Sequence, residues 1–313
     1  MRILFLGTPE YALPSLFMLK NEGYEIVAAV TQPDRPKGRG YQLVPCAVKA
    51  AAIDLGIPVW QPEKIRTEES LEILRSMAPN LMVTAAYGQI LSQAVLDVPT
   101  NGVVNVHGSL LPQYRGAAPI QWAVINGEKE TGVTTMLTER GIDTGNILLA
   151  KKTPIGPNET AGELYDRLAV LGAEVLKDTL CAMASGSLAS VPQDHAAATH
   201  YPMLAKEHGL IDWNKKAMEI HNRVRGVNPW PGAFTFMEDK LLKIWAAQPI
   251  PESHELQPGT VVRAGEEGLV VAAGEGMLVI TELQWPGKKR MAAKAFLRGH
   301  SIKLGTLCHR EAH

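Results

Sequence analysis

The sequence has only three cysteines among 313 residues, and none stands in a Cys-x-x-Cys pair. Because Cys46, Cys181 and Cys308 lie far apart, neither a disulfide framework nor a thiolate metal site is indicated. No apolar run is long enough to cross a bilayer, and the opening residues lack the features of a signal peptide. We therefore expect a cytoplasmic protein that has no metal site and no membrane contact.

The common nucleotide-binding signatures are also missing. Gly7 ends the first predicted strand, but the chain has no Gly-x-Gly-x-x-Gly fingerprint at a strand-to-helix turn. It contains no Gly-Lys-Ser/Thr segment of the kind found in phosphate-binding loops either. These absences disfavour a hydride-transfer enzyme and a nucleoside triphosphatase.

The chain is long enough for two domains, because 313 residues exceed what one hydrophobic core usually organises. In the first two thirds, short β-branched runs alternate with amphipathic segments, a pattern typical of βαβ units around a mostly parallel sheet. Strands are predicted over residues 2–7, 25–31, 81–85, 103–107 and 132–137, and helices over 48–55, 68–77 and 160–185.

The last third of the chain has a different pattern. Short apolar runs over residues 234–236, 241–247, 260–263, 269–273 and 277–283 are separated by Pro, Gly and acidic turns. Five short strands with one or two helices favour a small β-barrel, for which the oligonucleotide-binding (OB) type is one option. We predict an α/β domain over residues 1–189, a linker over 190–206 and an OB-like barrel over 207–313.

The net charge of −1 conceals a basic segment near the C-terminus. Six basic residues and no acidic residue occur between Lys288 and Lys303. A face of this kind can contact a phosphate backbone, but a charge run by itself also fits a solvated surface. The charge pattern alone therefore leaves both interpretations open.

An amide, an imidazole and a carboxylate give the strongest chemical signal. Asn105 and His107 stand two residues apart on one predicted strand, so their side chains share a face, and Gly108 ends that strand. Open α/β sheets bind their ligands at this carboxyl edge. Asp143 lies in a Gly-Ile-Asp-Thr-Gly loop. Such a trio suits acyl transfer, which needs an oxyanion donor, a proton shuttle and an anion that orients the shuttle.

Each member of this trio also has an ordinary structural interpretation. The Asp-Thr-Gly segment at Asp143 matches the short signature of aspartic proteases, but their chemistry requires two such carboxylates and the chain has one copy. A glycine-rich turn with an aspartate is common loop chemistry, and a lone histidine such as His107 is usually a hydrogen-bonded core residue. Only the combination with Asn105 favours catalysis.

Several longer segments together resemble the methionyl-tRNA formyltransferases, a branch of the folate-dependent formyltransferases. These segments are GTPEYALPSL, TQPDRPKGRG, AYGQIL, NVHGSLLPQYRGAAP, GIDTG, NPWPGAF and PGKKRMAAKAFLRG, and they extend over essentially the whole chain. The resemblance implies a Rossmann-like formyltransferase domain. It also implies transfer of the formyl group of 10-formyltetrahydrofolate to the α-amino group of methionyl-initiator tRNA, which releases tetrahydrofolate.

The resemblance also implies roles for individual residues. Asn105, His107 and Asp143 match the catalytic positions, and the backbone near residues 141–143 is expected to hold part of the pterin. The expected folate-binding residues are Ser109, Leu110, Leu111 and Pro112, and the expected RNA-binding residues are Arg35, Lys37, Arg39, Lys288, Lys289 and Arg290. Asp143 is expected to orient His107, whereas the proton relay through Asp143, His107 or water stays open. We expect a monomer.

Two rival functions remain at this point. One is formyl transfer to a small amine, such as a nucleotide sugar or glycinamide ribonucleotide, or hydrolysis of the same folate. The other is a catalytically silent RNA-binding module, which the basic C-terminal segment alone would permit. The basic loop that contains Arg39 discriminates against the first rival, and the pairing of Asn105 with His107 discriminates against the second.

Overall fold

A computed structural model of the chain describes residues 1–37 and 42–311. The chain forms two compact units. The first comprises Met1–Pro119, Glu130–Pro154 and Tyr165–Tyr201, and the second comprises Ile120–Lys129, Ile155–Leu164 and Pro202–His313. The linear boundaries at residues 189 and 206 stay a prediction.

Up to Tyr201 the chain contains eleven described strands and six α-helices. The strands are β1 (Arg2–Gly7), β2 (Glu25–Val30), β3 (Arg35–Lys37), β4 (Gln42–Val44), β5 (Val59–Trp60), β6 (Leu81–Ala85), β7 (Val103–His107), β8 (Arg115–Gly116), β9 (Glu130–Leu137), β10 (Ile147–Pro154) and β11 (His200–Tyr201). The helices are α1 (Leu13–Asn21), α2 (Ala47–Asp54), α3 (Glu68–Met77), α4 (Gln93–Leu96), α5 (Pro119–Ile125) and α6 (Ala161–Ser185).

The first unit contains a seven-stranded sheet with the order β10-β9-β7-β6-β1-β2-β5. The strands from β7 to β5 pair in parallel, whereas β9 and β10 are antiparallel at one edge. The predicted mostly parallel sheet is therefore confirmed. Every residue of β6 is buried, which fits a parallel strand covered on both faces and explains its continuous apolar run.

The predicted helices are confirmed, and their ends have local causes. Thr67 caps α3 by accepting a hydrogen bond from the Ser70 backbone N–H, and α6 ends before Gly186, whose φ of +71° suits a helix C-terminus. Strand β10 was not predicted from the sequence, because an edge strand that exposes Lys151 and Lys152 lacks the apolar pattern of its neighbours.

From Pro202 onward, the described residues form two α-helices and seven strands. They are α7 (Ala217–Gly226), β12 (Ala233–Met237), β13 (Lys240–Ile250), β14 (Val261–Gly265), β15 (Gly268–Ala272), β16 (Met277–Gln284), β17 (Met291–Ala292), α8 (Ala293–Gly299) and β18 (Cys308–His309). The antiparallel sheet has the order β14-β15-β16-β13-β12-β18, with β17 beside β16. A bridge between Thr260 and Leu307 joins its two ends, so the sheet curls into the predicted barrel-like form.

No helix in the described part of the chain combines the length and apolar character needed to span a membrane.

Candidate active site

Asn105 stands near the carboxyl end of β7, where the neighbouring strand fixes its amide. Thr84 of β6 is its register partner, and the Thr84 hydroxyl donates a hydrogen bond to Asn105 Oδ1 over 2.8 Å. Because the amide oxygen already accepts, the Nδ2 group is the end left to donate. Thr84 was not among the residues predicted from the sequence, although a polar residue near the end of an apolar strand was the available signal.

His107 is the last residue of β7 and is buried. Its Nε2 lies 3.0 Å from the Tyr114 carbonyl oxygen. A carbonyl can only accept, so this contact assigns the proton to Nε2 and leaves Nδ1 as the nitrogen that can take up a second proton. Nδ1 faces Asp143, at 3.7 Å from Oδ2.

Asp143 adopts a left-handed backbone conformation, with a φ of +54°. Its Oδ2 accepts a hydrogen bond of 2.8 Å from the Gly116 backbone N–H. The structure thus brings the predicted carboxylate to the predicted imidazole, with Asn105 two residues away on the same strand face as His107. The 3.7 Å separation exceeds a direct hydrogen bond.

The predicted folate-binding segment follows β7 and is held by hydrogen bonds within its own loop and to β9. The Ser109 hydroxyl donates to the Gln113 carbonyl over 2.7 Å, so this buried side chain already has a partner. Thr134 of β9 donates to the Ser109 carbonyl and accepts from the Leu111 backbone N–H. Leu110 lies over Gly132, where a Cβ atom would be 2.6 Å from its Cδ2 atom. The segment from Ser109 to Pro112 therefore has a fixed shape.

In the described part of the predicted basic loop, β3 pairs antiparallel with β4. Arg35 is exposed on β3 and Lys37 ends this strand, whereas Arg39 lies outside the described residues. At its base, Lys49 and Gln61 both donate to the Asp34 carboxylate. These hydrogen bonds, the one from Lys49 above all, lower the pKa of Asp34 from its ordinary value. The ion pair between Lys49 and Asp34 thus fixes the residue that directly precedes β3.

Lys288, Lys289 and Arg290 are exposed in the segment between β16 and β17. Arg290 forms a two-point ion pair with Glu282, in which Nε lies 2.7 Å from Oε1. Its guanidinium carbon is 5.0 Å from the centre of the Trp245 ring. Arg290 is therefore oriented by an acid and an aromatic ring, whereas no ion pair is found for the two lysines within the described chain.

Two further lysines lie in the same part of the barrel, and the sequence analysis missed them. Lys243 of β13 lies 5.7 Å from the centre of the Trp245 ring, which is the ring that Arg290 also contacts. Lys240 of the same strand lies 5.5 Å from the ring of Trp285. More than forty residues separate these lysines from Arg290 in the sequence, so only the pairing of β13 with β16 brings them together.

In the described part of the chain, no three His, Cys, Asp or Glu side chains are grouped so that they could hold a metal ion.

Two family models match the chain. Residues 1–180 match the model described as formyl transferase, and residues 203–301 match the one described as formyl transferase, C-terminal domain. The chain belongs to the formyl transferase family. It is 52% identical over 307 residues to a methionyl-tRNA formyltransferase of Ruminiclostridium cellulolyticum, covering 97% of this chain and 98% of the relative. It is 49% identical to one of Geobacter sulfurreducens, covering 98% of this chain and 96% of the relative.

Solved structures of lower identity share the fold of this formyl transferase. An N-formyltransferase from Helicobacter canadensis, in complex with folinic acid and dTDP-3-aminofucose, has a TM-score of 0.66 at 20% identity, covering 88% of this chain and 97% of that one. HypX from Aquifex aeolicus, in complex with tetrahydrofolic acid, has a TM-score of 0.64 at 18% identity, covering 95% of this chain and 47% of HypX. At these identities the likeness shows the fold alone, and it agrees with the predicted fold class.

Proposed function

We propose that this formyl transferase transfers the formyl group of 10-formyltetrahydrofolate to the α-amino group of methionyl-initiator tRNA, and so serves translation initiation. The observation that carries this proposal is the placement of His107 beside Asp143, at the sheet edge that also bears Asn105. This arrangement of side chains occurs in a chain that is about half identical, over nearly its full length, to proteins named methionyl-tRNA formyltransferase. Tetrahydrofolate is the second product.

The orientation of Asn105 suits stabilisation of an oxyanion. When the amine attacks the formyl carbon, negative charge develops on the formyl oxygen, and Nδ2 is the end of the amide that can donate to it. The Thr84 hydroxyl prevents the amide from presenting its oxygen instead. The amine needs only a modest base, because the reference pKa of an α-amino group is about 8.

His107 and Asp143 are the residues proposed to take part in proton transfer. The amine forms a bond to the formyl carbon and loses a proton, and the folate nitrogen loses that carbon and gains a proton. With Nε2 occupied by the Tyr114 carbonyl, Nδ1 is the ring nitrogen available for the transfer. Asp143 lies on that side of the ring and stabilises the charge that a proton on Nδ1 brings.

The substrate contacts belong to the same proposal. The segment Ser109, Leu110, Leu111 and Pro112 supplies a wall for the folate through its fixed shape, and the backbone near residues 141–143 holds part of the pterin. The tRNA contacts are made by Arg35, Lys37, Arg39, Lys288, Lys289 and Arg290, to which we add Lys240 and Lys243. This assignment is supported by the exposure of the basic side chains of Arg35, Lys240, Lys288, Lys289 and Arg290, whereas Lys243 is half-buried beside the Trp245 ring.

We also infer that the protein acts as a monomer in the cytoplasm. One chain supplies all three proposed catalytic side chains, so no partner copy is needed to complete the site. Charged initiator tRNA and the folate donor would meet the enzyme where translation takes place.

The deciding experiment is an assay of the purified protein with 10-formyltetrahydrofolate and three kinds of acceptor. Charged initiator tRNA, charged elongator tRNA and small amines, namely a nucleotide amino sugar and glycinamide ribonucleotide, are compared with a reaction without acceptor. We expect rapid formylation of the charged initiator tRNA and little reaction otherwise. Activity on a small amine alone, or acceptor-free hydrolysis alone, would replace the proposal by the corresponding rival.

A His107→Ala variant addresses the remaining rival, an RNA-binding module without catalysis. If His107 is catalytic, this variant keeps its affinity for tRNA and loses formylation. Full activity in the variant would remove the ring from the chemistry.

A further inference from the structure

The segment that follows α6 contacts the active-site loops directly. Val191 exchanges two backbone hydrogen bonds with Ile147, at 2.8 and 2.9 Å, and β11 pairs in parallel with β8. A Cβ atom at Gly116 of β8 would lie 2.3 Å from the Tyr201 carbonyl oxygen, and the φ of Gly116 is +108°. Only glycine allows this approach, and Gly116 is also the residue whose N–H holds the Asp143 carboxylate.

Gln193 lies in the same segment and is 6% exposed. Its Nε2 group donates to the Asp143 carbonyl over 2.9 Å and to the Gly145 carbonyl over 2.6 Å. One carboxamide thus uses both of its N–H bonds on the loop that carries the carboxylate. Loss of this side chain would leave two carbonyls of the loop without these donors.

Arg115 fixes the other end of that carboxamide. Its Nε and one terminal nitrogen donate to Gln193 Oε1, over 3.1 and 2.6 Å, and the same terminal nitrogen lies 3.1 Å from His195 Nδ1. The Arg115 side chain is 3% exposed, and in the described chain it forms no ion pair with a carboxylate. Burying a charged guanidinium without a carboxylate partner is costly. Because Arg115 nevertheless donates to an uncharged amide, we infer that its role is to hold the Gln193 carboxamide in one orientation.

The backbone conformation of Asp143 explains why its loop needs these hydrogen bonds from Gln193. A non-glycine residue at a φ of +54° occupies a sparsely populated region, and surrounding contacts must hold it there. We propose that Gln193, oriented by Arg115, is a positioning residue that holds Asp143 in register with the His107 ring. Neither side chain needs to touch the substrate. This inference rests on the proposed role of Asp143 in formyl transfer.

A double-mutant cycle with Asp143→Asn tests the inference. Gln193→Leu removes the two donors, and we expect its kcat to fall about 10-fold or more, because displacements near 1 Å at a reacting group can cost about 100-fold. KM for the folate should change less than about threefold. In the Asp143→Asn background, Gln193→Leu should lower kcat by less than about twofold, since the carboxylate that it positions is already gone.

Two further variants separate positioning from folding. Gln193→Glu keeps an acceptor for Arg115 but loses both donors to the loop, so its kcat should stay as low as that of Gln193→Leu. Gln93→Leu, at an exposed position of α4, is the matched control and should leave kcat unchanged. Equal losses of kcat from Gln193→Leu in both backgrounds of the cycle would overturn the inference, as would recovery of kcat in Gln193→Glu.

Hydrogen exchange gives a readout that does not depend on activity. Gln193→Leu should accelerate exchange selectively in residues 140–146 and at the Gly116 amide, which Asp143 protects. Unchanged exchange there, or equal acceleration in β1 and β6, would contradict the inference. If the unaltered protein formylates no tRNA, the proposed function fails, whereas this exchange measurement still decides whether Gln193 holds the loop.

Discussion

The two units of the molecule use polar side chains in opposite ways. In the first unit, His107 is 6% exposed and is held by a backbone carbonyl beside a partly buried carboxylate. In the second, Lys288 and Lys289 are exposed, and Arg290 is shared between Glu282 and an aromatic ring. Proton transfer depends on placement within tenths of an ångström, whereas attraction of a phosphate backbone depends mainly on the sum of charges. Single substitutions should therefore have large effects in the first unit and small, additive effects in the second.

The largest effect should follow from Asp143→Asn. An asparagine can still accept the Gly116 N–H through its side-chain oxygen, so the loop keeps its anchor, but the negative charge beside His107 is lost. We expect kcat to fall by about 1000-fold, within the range of general acid–base contributions, while tetrahydrofolate binding measured by calorimetry changes little. Unchanged turnover would exclude the carboxylate from the mechanism.

Asn105→Ala should lower kcat by roughly 100-fold, the usual cost of one oxyanion donor. A graded companion is Thr84→Val, which keeps the size of the side chain and removes the hydroxyl that orients the amide. We expect about a 10-fold loss for Thr84→Val, because the amide is present but no longer held in one orientation. Steady-state kinetics measure both variants. Equal activity of Thr84→Val and the unaltered protein would show that the amide needs no orientation.

Smaller effects are expected on the barrel. Lys243→Ala and Lys288→Ala should each raise KM for tRNA a few-fold, leave kcat unchanged and reduce the slope of log affinity against log salt by about one. Glu282→Gln should act in the opposite direction, since it removes the carboxylate that neutralises Arg290. Filter-binding titrations at several salt concentrations measure these slopes. A loss of kcat in the lysine variants would break the contrast between the units.

The smallest effect is expected at Asp34. It tests whether the size of a substitution effect depends on the burial of the side chain or on the unit to which the residue belongs. Asp34 belongs to the first unit, but its ion pair with Lys49 is only partly buried. Because its pKa is lowered in the folded protein, it adds stability above the unfolded-state value of about 3.9 and loses that contribution as the pH falls. Asp34→Asn should reduce the free energy of unfolding by less than about 1 kcal/mol at pH 7. In urea titrations the difference should shrink below pH 4, and a difference that grows there would contradict this assignment.

Local signals in the sequence predicted much of the fold. The strands over residues 2–7, 81–85 and 103–107 and the helix over 68–77 match the structure to the residue. A buried parallel strand or an amphipathic helix shows its characteristic spacing of apolar residues within about ten positions, so such an element can be predicted from the local sequence. The two-residue strands β5, β8, β11, β17 and β18 have no such pattern, because their pairing depends on partners elsewhere in the chain.

The sequence by itself determined most of the longer elements, the face shared by Asn105 and His107, and the presence of a carboxylate in a glycine-rich loop. Only the tertiary structure decided which nitrogen of the ring faces that carboxylate and which end of the amide can donate. It also decided that Gln193, which Arg115 contacts across 78 residues, donates to the loop of Asp143. The physical reason is the range of the interactions. Side-chain periodicity is set by neighbouring residues, whereas hydrogen-bond direction depends on groups that meet only after the chain has folded.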